Sequence, residues 1–157
     1  MKIILASLGK QHEAYVKAGI EDFTQRIHKY YPVEWLIIPP VKQAASLNEK
    51  DLKRAESEAI LAQLQKDDFV ILLDERGKQL SSVQLASFIQ QRANESAKRV
   101  VFLIGGAFGV DEQIVKSANY TWSLSTLVFP HMLVRLILAE QVYRACSILR
   151  NEKYHHL

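Results

Sequence analysis

Short apolar runs alternate with amphipathic stretches from one end of this chain to the other. Lys2–Leu8 reads as a strand, and Gly9 ends it. Across residues 12–30, Val16, Ile20, Phe23 and Ile27 recur four and three positions apart, which is one face of a helix. Val33–Ile38 is a second strand, stopped by Pro39 and Pro40, which cannot continue a ladder. Asn48 suits the cap of a helix running to about Lys66, with Leu52, Ala55, Ala59 and Leu64 on its inner face. A third strand is expected over residues 69–74, followed by a turn at Glu75-Arg76-Gly77-Lys78. Ser81 then caps a helix to about Ser96 that turns Leu85, Phe88 and Ile89 inward. Arg99–Ile104 is the fourth strand, residues 111–118 a short helix, 121–124 a fifth strand and 131–150 a long final helix.

Strands that are apolar on both faces and alternate with helices imply an α/β fold, a mostly parallel sheet with helices on both faces. With no internal repeat or linker, residues 1–157 read as a single domain. Ligands of such sheets sit beyond the carboxyl ends of the strands, so the loops there carry the chemistry.

The first strand is followed by one glycine only, where a dinucleotide-binding fold would place G-x-G-x-x-G, and no phosphate-binding G-x-x-x-x-G-K-[ST] occurs. The glycines cluster instead after the fourth strand, at Gly105-Gly106-Ala107-Phe108-Gly109. Such a cluster either makes a tight turn or lets a ligand approach the backbone closely. A second unusual loop, Leu124 to His131, carries Leu127, Val128 and Phe129 in a connection that would ordinarily be polar. It is either buried by surrounding chain or wrapped around a ligand with an apolar face. The final helix is apolar around most of its circumference, which suits burial against a second copy of the chain or a central place within one copy.

Composition narrows this only a little. A formal charge of +3 and a pI near 9.0 suit an RNA partner without requiring one. The one cysteine, Cys146, excludes an internal disulfide and a multi-cysteine zinc site, so no metal is expected and a reducing, cytoplasmic setting is the simple reading. The N-terminal apolar run is too short for a signal peptide, and no run is long enough to cross a bilayer, so no membrane partner is expected.

Taken together, F-L-I-G-G-x-x-G at residues 102–109, W-S-L-S-x-x-x-F-P-H at 122–131, R-x-x-x-x-E-Q-x-Y-R-A at 135–145 and the terminal Tyr154-His155 resemble the bacterial ribosomal large-subunit methyltransferase H family, of the SPOUT class. The similarity spans essentially the whole chain. The resemblance implies a C-terminal trefoil knot, a homodimer, and S-adenosylmethionine as methyl donor. It also implies methylation of N3 of a pseudouridine (position 1915 in ribosomal-RNA numbering) in 23S rRNA of the assembled ribosome. By similarity the donor would contact Leu73, Gly105, Leu124, Ser125, Thr126, Leu127, Val128 and Phe129. The chain departs from the family at Val128, where a threonine is common, so contacts there are expected through backbone amides.

Removing the N3 proton calls for a base or a nearby cation. Histidine has a suitable ordinary pKa. His155 belongs to the terminal Tyr-His and would reach the site of a partner subunit, whereas His131 either caps its helix or takes part in catalysis. His156 reads as solvated tail, and His12 and His28 as surface. Arg135 and Arg144 sit on an otherwise apolar helix, where a charge is costly unless paired. Glu140 stands four residues before Arg144, the spacing of an intrahelical pair; Arg135 and, if unpaired, Arg144 are candidates for phosphate or the developing N3 charge. Tyr154 either stacks on a base or anchors the tail. A non-catalytic RNA-binding assembly factor and a SPOUT enzyme acting on tRNA are the competing functions.

Overall fold

A computed structural model describes residues 1–156; Leu157, the last residue of the tail singled out above, lies outside them. Five strands form one sheet in the order β2-β1-β4-β3-β5, comprising β1 (Lys2–Leu8), β2 (Val33–Ile38), β3 (Phe69–Gln79), β4 (Arg99–Ile104) and β5 (Tyr120–Ser123). Every pairing is parallel. All five carboxyl ends therefore open on the same edge, as expected for strands joined by helical crossovers.

Side chains alternate between the two faces of each strand and so build two cores. Ile3, Leu5, Ile71 and Phe102 face α1 (Ala14–Ile27), α3 (Ser82–Asn94) and α5 (His131–Leu149), meeting Ile27, Leu85, Ile89, Leu138 and Val142. Ile4, Ala6, Val70, Leu72, Val101 and Leu103 face α2 (Glu49–Leu61) and α4 (Glu112–Ser117), meeting Ile60 and Ile114. The expected α/β architecture with both faces covered is what forms. The caps are as expected: Asn48 Oδ1 accepts from the Asp51 amide, and Ser81 with Gln84 closes a reciprocal capping box.

Three expectations are corrected. The turn at residues 75–78 lies inside β3, because Leu73 and Lys78 both register on Trp122 and the residues between them bulge out. Gly77 permits this, since a Cβ there would sit 2.6 Å from the Thr121 carbonyl. The helix after Asn48 stops at Leu61, and its buried residues are Glu56, Ser57 and Ile60; Leu52, Ala55, Ala59 and Leu64 are half-buried flanks. Two polar residues occupy the center of that face, which a reading by apolar spacing could not find. His12 is half-buried rather than on the surface, edge-on to the Trp35 ring at 4.8 Å.

Candidate active site

The last three carboxyl ends bring three loops together around a cleft of about 630 Å3, within the size range of small-molecule sites. The first is the bulge of β3. Asp74 grips Arg76 there, accepting from its backbone N–H at 2.9 Å and from Nε and Nη2 at 2.9 and 2.8 Å. Those bonds hold the Asp74 carboxyl below the usual carboxylate range. The second, residues 105–109, is closed by a Gly109 N–H to Gly106 carbonyl bond of 3.0 Å, with Gly109 at φ +80°. The third follows β5. Ser123 Oγ donates to the Ser125 carbonyl, and Ser125 Oγ accepts from the Leu127 amide, both at 3.0 Å, so the two serines shape the loop from within.

Of the residues that the sequence nominated for the donor, Leu73, Gly105, Leu124, Ser125, Leu127, Val128 and Phe129 line this cleft, while Thr126 is exposed outside it. Leu127 and Val128 are 68% and 82% exposed. The surrounding chain therefore does not bury the apolar loop, which leaves a ligand or a partner to cover it. The role expected of Gly105 changes: a Cβ there would meet Val110 Cγ1 at 2.6 Å, so the glycine is needed for the loop to pack on Val110. Sequence reasoning missed Trp122 and the α2 residues Glu49 and Lys53, which also line the cleft. Trp122 Nε1 is buried with no hydrogen-bond partner among the described residues, an exception to the usual pairing of buried donors. The tryptophan lies in a strand next to a nominated loop; no pattern marked the α2 pair.

The amino end of α5 reaches the cleft through His131 and Val134. Burial and the nearby Arg135 charge both push the His131 pKa down. Arg135 itself is 1% exposed. It donates through Nε to Ser7 Oγ at 2.9 Å and through Nη1 to the Lys10 carbonyl at 2.8 Å, with His12 Nδ1 at 3.3 Å.

The carboxyl end of α5 holds a second cluster. Arg144 Nε donates to Glu140 Oε1 at 2.9 Å, the expected intrahelical pair, and Tyr154 OH donates to the same oxygen at 2.9 Å. The Arg144 guanidinium lies 4.6 Å from the Tyr154 ring center, and its Nη1 is 3.3 Å from His155 Nδ1. Arginine only donates, so in this contact Nδ1 accepts. The tail folds back because Asn151 is left-handed at φ +55°, with Glu152 N–H bonding the Ser147 carbonyl and Asn151 N–H that of Ile148. Between His131 and Arg144 the helix rises about 20 Å, so one chain keeps the two clusters apart.

Residues 1–155 match the family model described as "Predicted SPOUT methyltransferase". Proteins named ribosomal RNA large subunit methyltransferase H from Christiangramia forsetii and Parabacteroides distasonis are 44% and 40% identical over 156 residues, covering 99% of this chain and of each relative. The one from Trichlorobacter lovleyi is 38% identical over the same length. The crystal structure of a methylase family protein from Neisseria gonorrhoeae superposes with a TM-score of 0.51 at 14% identity, over 99% of this chain and 85% of that one, a likeness of fold.

Proposed function

The chain belongs to the SPOUT methyltransferase family, and from that premise we propose that it methylates N3 of a pseudouridine in large-subunit ribosomal RNA, using S-adenosylmethionine and acting as a homodimer on the assembled ribosome in the cytoplasm. The observation that carries this reading is the convergence of three loops on one cleft lined by both apolar and polar side chains. Those features fit a ligand with a flat apolar base and polar edges. When bound, the donor supplies a methyl group made electrophilic by a sulfonium. Leu73, Leu124, Ser125 and residues 127–129 would hold it, largely through main-chain groups.

The target N3 must lose its proton, and a cation beside it stabilises the resulting charge. Arg144 is the candidate for that task, oriented by Glu140 and flanked by Tyr154 and His155. Arg135 is turned into the fold onto Ser7, Lys10 and His12, so its contribution is to hold the β1 loop beside the amino end of α5. Because the Arg144 cluster stands about 20 Å along the helix from the cleft, a complete site takes the cleft of one subunit and the tail of the other. Half-buried apolar residues of α5, Leu133, Leu136 and Ile137 among them, supply a surface for that pairing.

Among the described residues no helix is long and apolar enough to cross a membrane. The test is to incubate the purified protein and donor with ribosomes from cells lacking it, then map the modification by mass spectrometry. One added methyl on a large-subunit pseudouridine is expected. Methylation of tRNA alone, or RNA binding with no transfer, would favour the competing functions.

A further inference from the structure

Glu56 is the one acidic residue in the buried set, 6% exposed, and its Oε2 has no hydrogen-bond partner among the described residues. A buried carboxyl oxygen without a partner costs free energy and calls for a reason. Its position supplies one. Oε2 lies 1.9 Å from where a Cβ on Gly106 would stand, so the carboxyl presses directly on the backbone of the loop that walls the cleft. Only a glycine separates the two.

We propose that Glu56 is the group by which the cleft distinguishes the positively charged methyl donor from the neutral thioether product left after transfer. This rests on the donor assignment above. A carboxylate held behind one glycine, in surroundings that screen poorly, favours a cation in the cleft over an uncharged molecule of the same shape. The donor and the product share every other group, so the sulfonium charge is what such a carboxylate would sense. The consequence is tight capture of donor and easier release of product.

Linkage fixes the sign of the pH dependence. Burial alone raises the Glu56 pKa. The charged groups lining the cleft are Glu49, Lys53, Asp74, Glu75, Arg76 and His131, and on α4 Glu112 and Lys116 pair with each other. A cation beside Glu56 favours its ionised form, so donor binding expels a proton and donor affinity rises with pH as Glu56 ionises. Product affinity lacks this rise.

The experiment is titration calorimetry of donor and of product with the intact protein from pH 5 to 8, for the native sequence, Glu56→Gln and Glu56→Asp. The ratio of donor to product affinity removes every effect common to both ligands. It is expected to climb with pH, by about tenfold from protonated to ionised Glu56, in the native protein and in Glu56→Asp, and to stay flat in Glu56→Gln. A flat ratio in the native protein overturns the inference, and so does an undiminished climb in Glu56→Gln, which would point to another group such as His131. Failure of the native protein to bind either ligand would sink the donor assignment itself, together with the inference.

Discussion

The two ends of α5 each carry an arginine, and the two have opposite surroundings. Arg135 is sealed in the fold, bonded to a hydroxyl, a carbonyl and an imidazole, with no carboxylate in reach of a salt bridge among the described residues. Arg144 is half-buried, paired with Glu140 and stacked on Tyr154. Burial lowers the Arg135 pKa, whereas the bond to Glu140 raises that of Arg144. Neutral partners stabilise a guanidinium less than a carboxylate does, so Arg135 serves the fold at a cost in solvation. Arg144 is presented, its charge intact, next to a tyrosine and a histidine. An arginine in an apolar helix therefore has two quite different meanings, and the partners decide which applies.

The contrast can be broken at the tail first. Deleting residues 154–157 removes Tyr154 and His155 while leaving the cleft whole, so methyl transfer should be lost and donor affinity, measured by calorimetry, should not change. An active truncation would dissolve the Arg144 cluster as a functional unit. Arg144→Ala should lower transfer about 100-fold while costing stability only about 1 kcal/mol, as read from rate measurements and denaturant melts. Arg135→Leu should do the reverse, destabilising the fold by about 3 kcal/mol because Ser7, Lys10 and His12 lose their shared partner. Equal effects of the two changes on stability would erase the distinction.

The smallest effect is expected at the ion pair in the cleft. Asp74→Asn should cost about 0.5 kcal/mol at neutral pH, because Arg76 is mostly in solvent. The folded carboxyl titrates below its ordinary value of 3.8. Its contribution is thus present above about pH 4 and fades as pH falls through the lower folded value. An acid-unfolding curve unchanged by Asp74→Asn would contradict that.

Much of this arrangement was legible in the residues. The alternation of apolar runs and amphipathic stretches placed the five strands and the five α-helices, though not the short 3-10 turn at Ala44–Ser46, because period-2 and period-3.6 burial leave different signatures. The glycine cluster and the apolar loop before Pro130 were conspicuous for defying what loops usually contain, and both line the cleft. Glu56 was invisible. Its burial depends on how α2 docks against residue 106, a contact fifty positions away in sequence, and local pattern favoured the half-buried residues beside it. The extension of β3 through residues 74–77 was hidden for a similar reason, since Gly77 reads as a turn until Thr121 is placed against it. Spacing alone pairs Arg144 with Glu140, but the partners of Arg135 lie on and after β1, more than a hundred positions away.

If one subunit's cleft works with the other subunit's tail, mixed dimers will reveal it. A tail-deleted protein has a sound cleft; Gly105→Val, which collides with Val110, has a sound tail and a damaged cleft. Each alone should be inactive. Co-refolded in equal amounts, half of the dimers are mixed and one of their two sites is complete, so about one quarter of native transfer activity should return. No activity above that of the separate variants would contradict the account.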